Sequence, residues 1–113
     1  MAPIFACPRG DKLIGDQLSI HAQNNQAIVN ASCYGYLSIV KLLMDSGANI
    51  HAQNNGAIIY ASCYGHLSIV KLLIKSGADI HAQNNKAFKL AVKNKHSKAI
   101  KLLKKYSYNA KKN

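Results

Sequence analysis

Apolar residues come in two bursts that recur down the chain. In the clearest copy, Ala57, Ile58, Ala61 and Ser62 stand at i, i+1, i+4 and i+5, one face of a short helix, and Gly65 halts it. Leu67, Ile69, Val70, Leu72 and Leu73 then lay down a stronger stripe that ends at Ser76-Gly77, where glycine can take the left-handed conformation that closes a helix. The run Ala78-Asp79-Ile80-His81-Ala82-Gln83-Asn84-Asn85 supplies turn residues that lead to the next burst. The pattern predicts two antiparallel helices per unit. Small Ala and Ser on the first and branched side chains on the second make one side narrow and the other bulky, so a stack of units curves toward its first helices.

The unit repeats. Ile20, Ile50 and Ile80 fall in phase, as do His21, His51 and His81, which sets a period of 30 residues. Segments 20–49 and 50–79 differ at only 7 positions, counted as 26, 29, 30, 36, 44, 45 and 49 of the first. The third copy keeps mainly its start and its apolar spine. Fixed-period self-similarity of this length marks an all-α solenoid, in which a unit cannot bury its apolar face alone and stacks on its neighbours. The expected organisation is a degenerate capping segment over 1–19, repeats over 20–49, 50–79 and 80–109, and a frayed tail over 110–113. In the cap, Phe5, Leu13, Ile14 and Leu18 are expected to cover the first full repeat, with disorder before Asp11. In the third repeat Ser97, Lys98, Lys104 and Lys105 replace Leu67, Ser68, Ile74 and Lys75, the polar outer face that a terminal unit needs.

Composition narrows the class. The 113 residues are 49% hydrophobic, enough for one globular domain, and no apolar run approaches the roughly 18 residues needed to span a bilayer. Pro3 and Pro8 interrupt the only apolar stretch near the start, and three cysteines are an odd number for an extracellular disulfide framework. A reducing, intracellular and cytoplasmic setting is expected. The net charge of +11 is concentrated at one end, because Lys86, Lys89, Lys93, Lys95, Lys98, Lys101, Lys104, Lys105, Lys111 and Lys112 follow Ile80 with no acidic residue among them.

The motifs Ala61-Ser62-Cys63-Tyr64-Gly65-His66-Leu67, Ile69-Val70-Lys71-Leu72-Leu73 and Gly77-Ala78-Asp79-Ile80-His81-Ala82 resemble the ankyrin repeat. That pattern runs through alanines, Gly-His, Val-Val-x-Leu-Leu and Gly-Ala-Asp-x-Asn-Ala. The match extends from residue 20 to about residue 106. It departs in its period, 30 residues where the family has about 33, and in replacing the Thr-Pro-Leu-His helix start with Gly56-Ala57-Ile58-Ile59. The missing residues fall between Asn55 and Gly56, in the family's projecting hairpin. Shortened repeats with His-Ala-x-Asn turns resemble those of giant-virus ankyrin proteins. The resemblance implies that His21, His51 and His81 occupy a position usually held by Asn and bond the turn backbone. It also implies a protein-binding surface built from the inner side of the first helices and the hairpin tips.

On the first helices that surface comprises Asn30, Cys33 and Tyr34, then Tyr60, Cys63 and Tyr64, then Lys93 and Asn94. At the tips it adds Gln23, Asn24, Asn25, Gln26, Gln53, Asn54, Asn55, Gln83, Asn84, Asn85 and Lys86. Tyrosine enrichment suits contact with a protein partner.

Catalytic readings find little support. Asp11, Asp16, Asp45 and Asp79 are the only carboxylates and form no acid/base pair. Glycines stand singly at repeat closures and not in a phosphate loop. Cys33 and Cys63 recur in neighbouring units about 10 Å apart, beyond the roughly 7 Å Cα limit for a disulfide. Cys63-x-x-His66 has ligand spacing, but Tyr36 and Lys93 break it in the other copies, leaving no four-ligand set. No metal, cofactor or enzymatic activity is expected. Two alternatives to a protein-binding module remain. One is non-specific binding of nucleic acid or an anionic surface through the Lys-rich third repeat; the other is service as a fragment or subunit of a longer array.

Overall fold

The computed structural model describes the backbone of residues 20–112 and the side chains of residues 25–107. The expected cap over 1–19, with Phe5, Leu13, Ile14 and Leu18, lies outside the described residues. Within them the chain is all-α. The helices are α1 (Ile20–Tyr34), α2 (Leu37–Asp45), α3 (Ala52–Cys63), α4 (Leu67–Lys75), α5 (Ala82–Lys93) and α6 (Ser97–Lys112), paired as the period predicts.

Each pair turns on one residue of positive φ. After α3, Gly65 sits at φ +73° while its N–H donates to Ser62 O at 3.2 Å and the His66 N–H donates to Ala61 O at 2.9 Å. These two bonds form a Schellman closure, which satisfies carbonyls that the helix end would leave bare. At Gly35, φ +84°, its own N–H and that of Tyr36 both donate to Ala31 O at 3.0 Å, and Gly77, φ +99°, closes α4 with the same two bonds as Gly65. In the third pair Lys95 takes the place of Gly65 and is held at φ +62°. At the end of α6, Ser107 stands where Gly77 closes α4, and without that glycine the helix runs on to Lys112 instead of turning at 106–108.

The first helices α1, α3 and α5 stack on one another far more extensively than α2, α4 and α6 do. Their contact faces explain this: Ala31, Ala57, Ala61, Ala87 and Ala91 are buried and small, so the backbones approach closely. Ile28, Val29, Ile58 and Ile59 complete that layer, and Val40, Ile69, Val70, Leu73, Ala99 and Leu103 bury the facing stripe of the second helices. Each fully buried aliphatic side chain contributes on the order of 1.5–3 kcal/mol of transfer free energy. The core is therefore a row shared between units.

The projecting hairpin expected between repeats is absent from the described units. Gln53, Asn54 and Asn55 lie at φ +56°, +55° and +63°, and Gln83, Asn84 and Asn85 at +54°, +62° and +61°. A single left-handed turn thus replaces the hairpin and feeds directly into the right-handed part of the helix at Gly56 or Lys86. Asn is one of the few residues that visits this region readily, since its short amide bonds locally.

A β-carbon on Gly65 would come within 2.5 Å of His96 Nδ1, and one on Gly35 within 2.7 Å of His66 Cε1. Among the described residues no further helix pair stacks on Lys95 from the far side, so the backbone penalty of about 1–2 kcal/mol is what applies there. Lys95→Gly is expected to raise stability by about 1 kcal/mol, whereas Gly65→Ala is expected to cost more than that because strain and collision add. Urea unfolding followed by circular dichroism checks both, and a Gly65→Ala midpoint equal to wild type contradicts the interlock.

Candidate functional site

The polar tips are held first by each other. Asn25 Oδ1 accepts from the Asn49 N–H at 2.7 Å, and one unit on, Asn55 Oδ1 accepts from the Asp79 N–H at 3.0 Å. Asn49 Oδ1 and Asp79 Oδ1 in turn accept the N–H groups of His51 and His81, each at 2.9 Å. His51 Nδ1 meets Asn55 Oδ1 at 2.9 Å, and His81 Nδ1 meets Asn85 Oδ1 at 2.6 Å. Because Asn55 Oδ1 already accepts from a backbone N–H, it is an oxygen on that side, and His51 must donate from Nδ1. The His51 and His81 rings therefore bond side chains and not the turn backbone that the resemblance implied, while the side chain of His21 lies outside the described residues.

Further bonds join successive tips. Gln53 Nε2 donates to Gln26 Oε1, Gln26 Nε2 donates to Asn30 Oδ1 at 3.0 Å, and Gln83 Nε2 donates to Asn54 O at 3.1 Å. Asn25, Gln26, Asn55 and Asn85, expected as contact residues, thus serve as struts between and within units. Asn54 and Asn84 are exposed and Lys86 is half-buried; the side chain of Asn24 lies outside the described residues.

On the first helices, three expected contact residues are corrected. Asn30, Cys33 and Cys63 are 8%, 1% and 0% exposed, which removes them from any surface. A first helix is covered by its own second helix and by a neighbouring first helix, so more than one of its faces is interior. Asn94 Nδ2 donates to Cys63 O at 2.9 Å and lies 3.2 Å from its Sγ, while His66 Nε2 donates to Cys33 O at 2.9 Å. Asn94 and His66 are thus links to the preceding unit. That bond turns His66 away from the Cys63-x-x-His66 spacing. Among the described residues no three His, Cys, Asp or Glu side chains gather in a metal-binding group. Cys63 is a thiol, so the repeated cysteines do not form a disulfide with each other.

The tyrosines divide. Tyr34 is 50% exposed and stacks on Tyr36, itself 55% exposed, with ring centroids 6.0 Å apart. Tyr64 is half-buried and stacks on His66 at 6.3 Å, and Tyr60 is half-buried against the core. Lys93 is exposed. Successive units therefore present aromatic pairs at 34/36 and 64/66 where the first helix passes into the second, followed by Asn94 and His96. Tyr36 and His66, weighed from the sequence only as a metal-ligand spacing, were not among the expected contact residues, although position 36 is one of the few at which the twin repeats differ.

Burial raises the Tyr60 hydroxyl above its ordinary value of 10.0, helped by the charge that Cys63 would carry as thiolate. Burial also raises the Cys63 thiol above 9.0, partly countered by the Asn94 hydrogen bond. A cleft of about 430 Å³, lined by Ile80, His81, Asn85, Phe88, Leu103, Lys104 and Ser107, lies on the far face of the third pair. Its residues stand in register with Ile50, Ile58 and Leu73, which the third repeat covers. No described helix is long and apolar enough to cross a membrane.

A family model for ankyrin repeats matches the sequence in 3 copies, over residues 4–84 and 28–113. No curated protein matches it.

Both raised groups stay protonated in the fold longer than in the unfolded chain, so they support stability fully below about pH 9. That support is lost as pH rises through the folded values. The urea midpoint is expected to fall between pH 9 and pH 11, and a midpoint that climbs over that span contradicts the assignment. Asn94→Ala, which strips the cover from Cys63, is expected to speed its alkylation by iodoacetamide, as peptide mapping reads out.

Proposed function

The chain belongs to the ankyrin-repeat family, and from that premise we propose that it is a non-catalytic interaction module whose aromatic edge grips a protein partner. One observation carries the proposal: Tyr34 and Tyr36 form a stacked pair with about half of each ring in solvent, although the fold has apolar interior to offer them. A rigid, preformed aromatic platform buries large area at little entropic cost, which is why such rings dominate protein interfaces. Tyr64 and His66 continue the platform into the next unit. Lys93 and the exposed Asn54 and Asn84 border it as a polar rim.

The division of labour among the tyrosines follows from burial. Tyr34 and Tyr36 act as anchors. Tyr60 and Tyr64, packed against the core, steady the platform and lend it one ring face or edge each. Of the described carboxylates, Asp79 is occupied in holding the His81 N–H in the loop after α4 and Asp45 lies exposed at the end of α2, an arrangement suited to a scaffold and not to acid/base chemistry.

Tyr34→Ala and Tyr36→Ala are expected to leave the melting temperature nearly unchanged and to weaken partner capture by about tenfold or more, a typical loss for an interfacial aromatic. Affinity isolation from source cells with wild type and each variant, followed by titration of the retained protein, measures this. Equal retention by wild type and both variants would sink the proposal. So would a collapse in melting temperature that accounts for the whole loss. Tyr60→Ala, in contrast, is expected to lower stability.

A further inference from the structure

The outer side of the array carries a second feature that the aromatic edge does not use. Between α4 and α6 runs a groove of about 240 Å³ lined by Leu67, Lys71, Lys98, Lys101, Leu102 and Lys105. All four lysines are exposed, and the two leucines are half-buried at its floor. Lys98, Lys101 and Lys105 stand at i, i+3 and i+7, one face of α6, with Lys71 opposite on α4. Like charges at such spacing work against a helix by a few tenths of a kcal/mol per pair. Neither α4 nor α6 contains an acidic residue, and none occurs after Asp79. Asp79 itself holds the His81 N–H in the loop beyond α4.

Between the last pair of second helices Lys98 completes a set of four lysines, of which the preceding pair has only three counterparts, Lys41, Lys71 and Lys75. In register, Lys98 replaces Ser38 and Ser68; Lys105 replaces Asp45 of the first unit but matches Lys75 of the second, and Lys41, Lys71 and Lys101 are common to all three units. A general need for solubility would be met by cations scattered over the surface. Here four of them, Lys71, Lys98, Lys101 and Lys105, rim one apolar trough.

We propose that this groove docks an acidic amphipathic helix of a partner protein. Charge complementarity sets the sign of the occupant, and the leucine floor sets its kind. Leu67 and Leu102 reward a partner that brings apolar side chains between its acids, as a helix does with leucines on one face and Glu on its flanks. Nucleic acid would engage the lysines alone: the groove holds no Arg fork for phosphates and no aromatic ring for bases. The stretch from Lys98 to Lys105 covers about 10 Å at 1.5 Å per residue, two turns of an opposing helix.

The test uses the full chain and a fluorescent peptide of about 14 residues, four helical turns, with leucines on one face and Glu beside them. A scrambled peptide of the same composition, polyuridylate, and mixed phosphatidylcholine–phosphatidylserine vesicles are run in parallel. The helical peptide is expected to bind at least about tenfold more tightly than the scrambled one, and Lys98→Glu with Lys105→Glu to reduce its affinity by about tenfold or more, as for a charged rim around an apolar contact. Lys98→Gln with Lys105→Gln serves the same end without charge reversal, and Lys89→Glu, exposed on α5, leaves binding intact. Tyr34→Ala also leaves it intact, which separates this site from the aromatic edge. Equal binding of the scrambled peptide overturns the proposal. So does retention of binding by the folded double variants, or capture of polyuridylate or vesicles in preference to the helical peptide.

Discussion

Everything in the molecule depends on how closely one first helix can lie against the next. Alanine at 57, 61, 87 and 91 removes the side-chain bulk that would hold the helices apart, and the bonds from Asn94 and His66 to the carbonyls of Cys63 and Cys33 lock the approach at its end. Asn25 and Asn55 fix the opposite end by reaching into the following loop. Apolar burial sets the distance and these polar bonds set the register. Neither does the other's work, since burial has no direction and a few exposed hydrogen bonds contribute too little alone.

A stack assembled in this way separates its surfaces. Residues that face along the array are bound to neighbouring units and have little freedom to change. Those at the edge where helices join, and those on the outer helices, are released from packing. The aromatic pairs occupy the first of these free regions and the lysine groove the second. The strong imbalance of charge is tolerated because the described lysines, half-buried Lys86 apart, lie on exposed helix faces and loops, where water and salt screen them from one another.

Much of this was legible in the sequence. The period, the paired helices, the closing glycines and the narrow side follow from residue spacing alone, because helix periodicity and left-handed glycine are local physics. The interior position of Cys33 and Cys63 was not legible. A helix wheel drawn for one unit has one buried face, whereas a first helix in a stack has several, and only the neighbour's position reveals them. The left-handed Gln-Asn-Asn turns were hidden for a related reason: three such residues in succession are sparse among known turns, and they are held by bonds to groups 24 to 29 residues away. The split among the tyrosines likewise turns on partners outside the unit. The long α6, in contrast, was there to be seen in the replacement of Gly77 by Ser107.

Glycine at 35 and 65 lies beneath the imidazole of the unit that follows, while the matching residue of the third unit is Lys95. Copies of the first two kinds can therefore be followed by another histidine-bearing copy, and the third kind cannot without displacing a lysine side chain. The near identity of the first two segments and the divergence of the third fit this asymmetry.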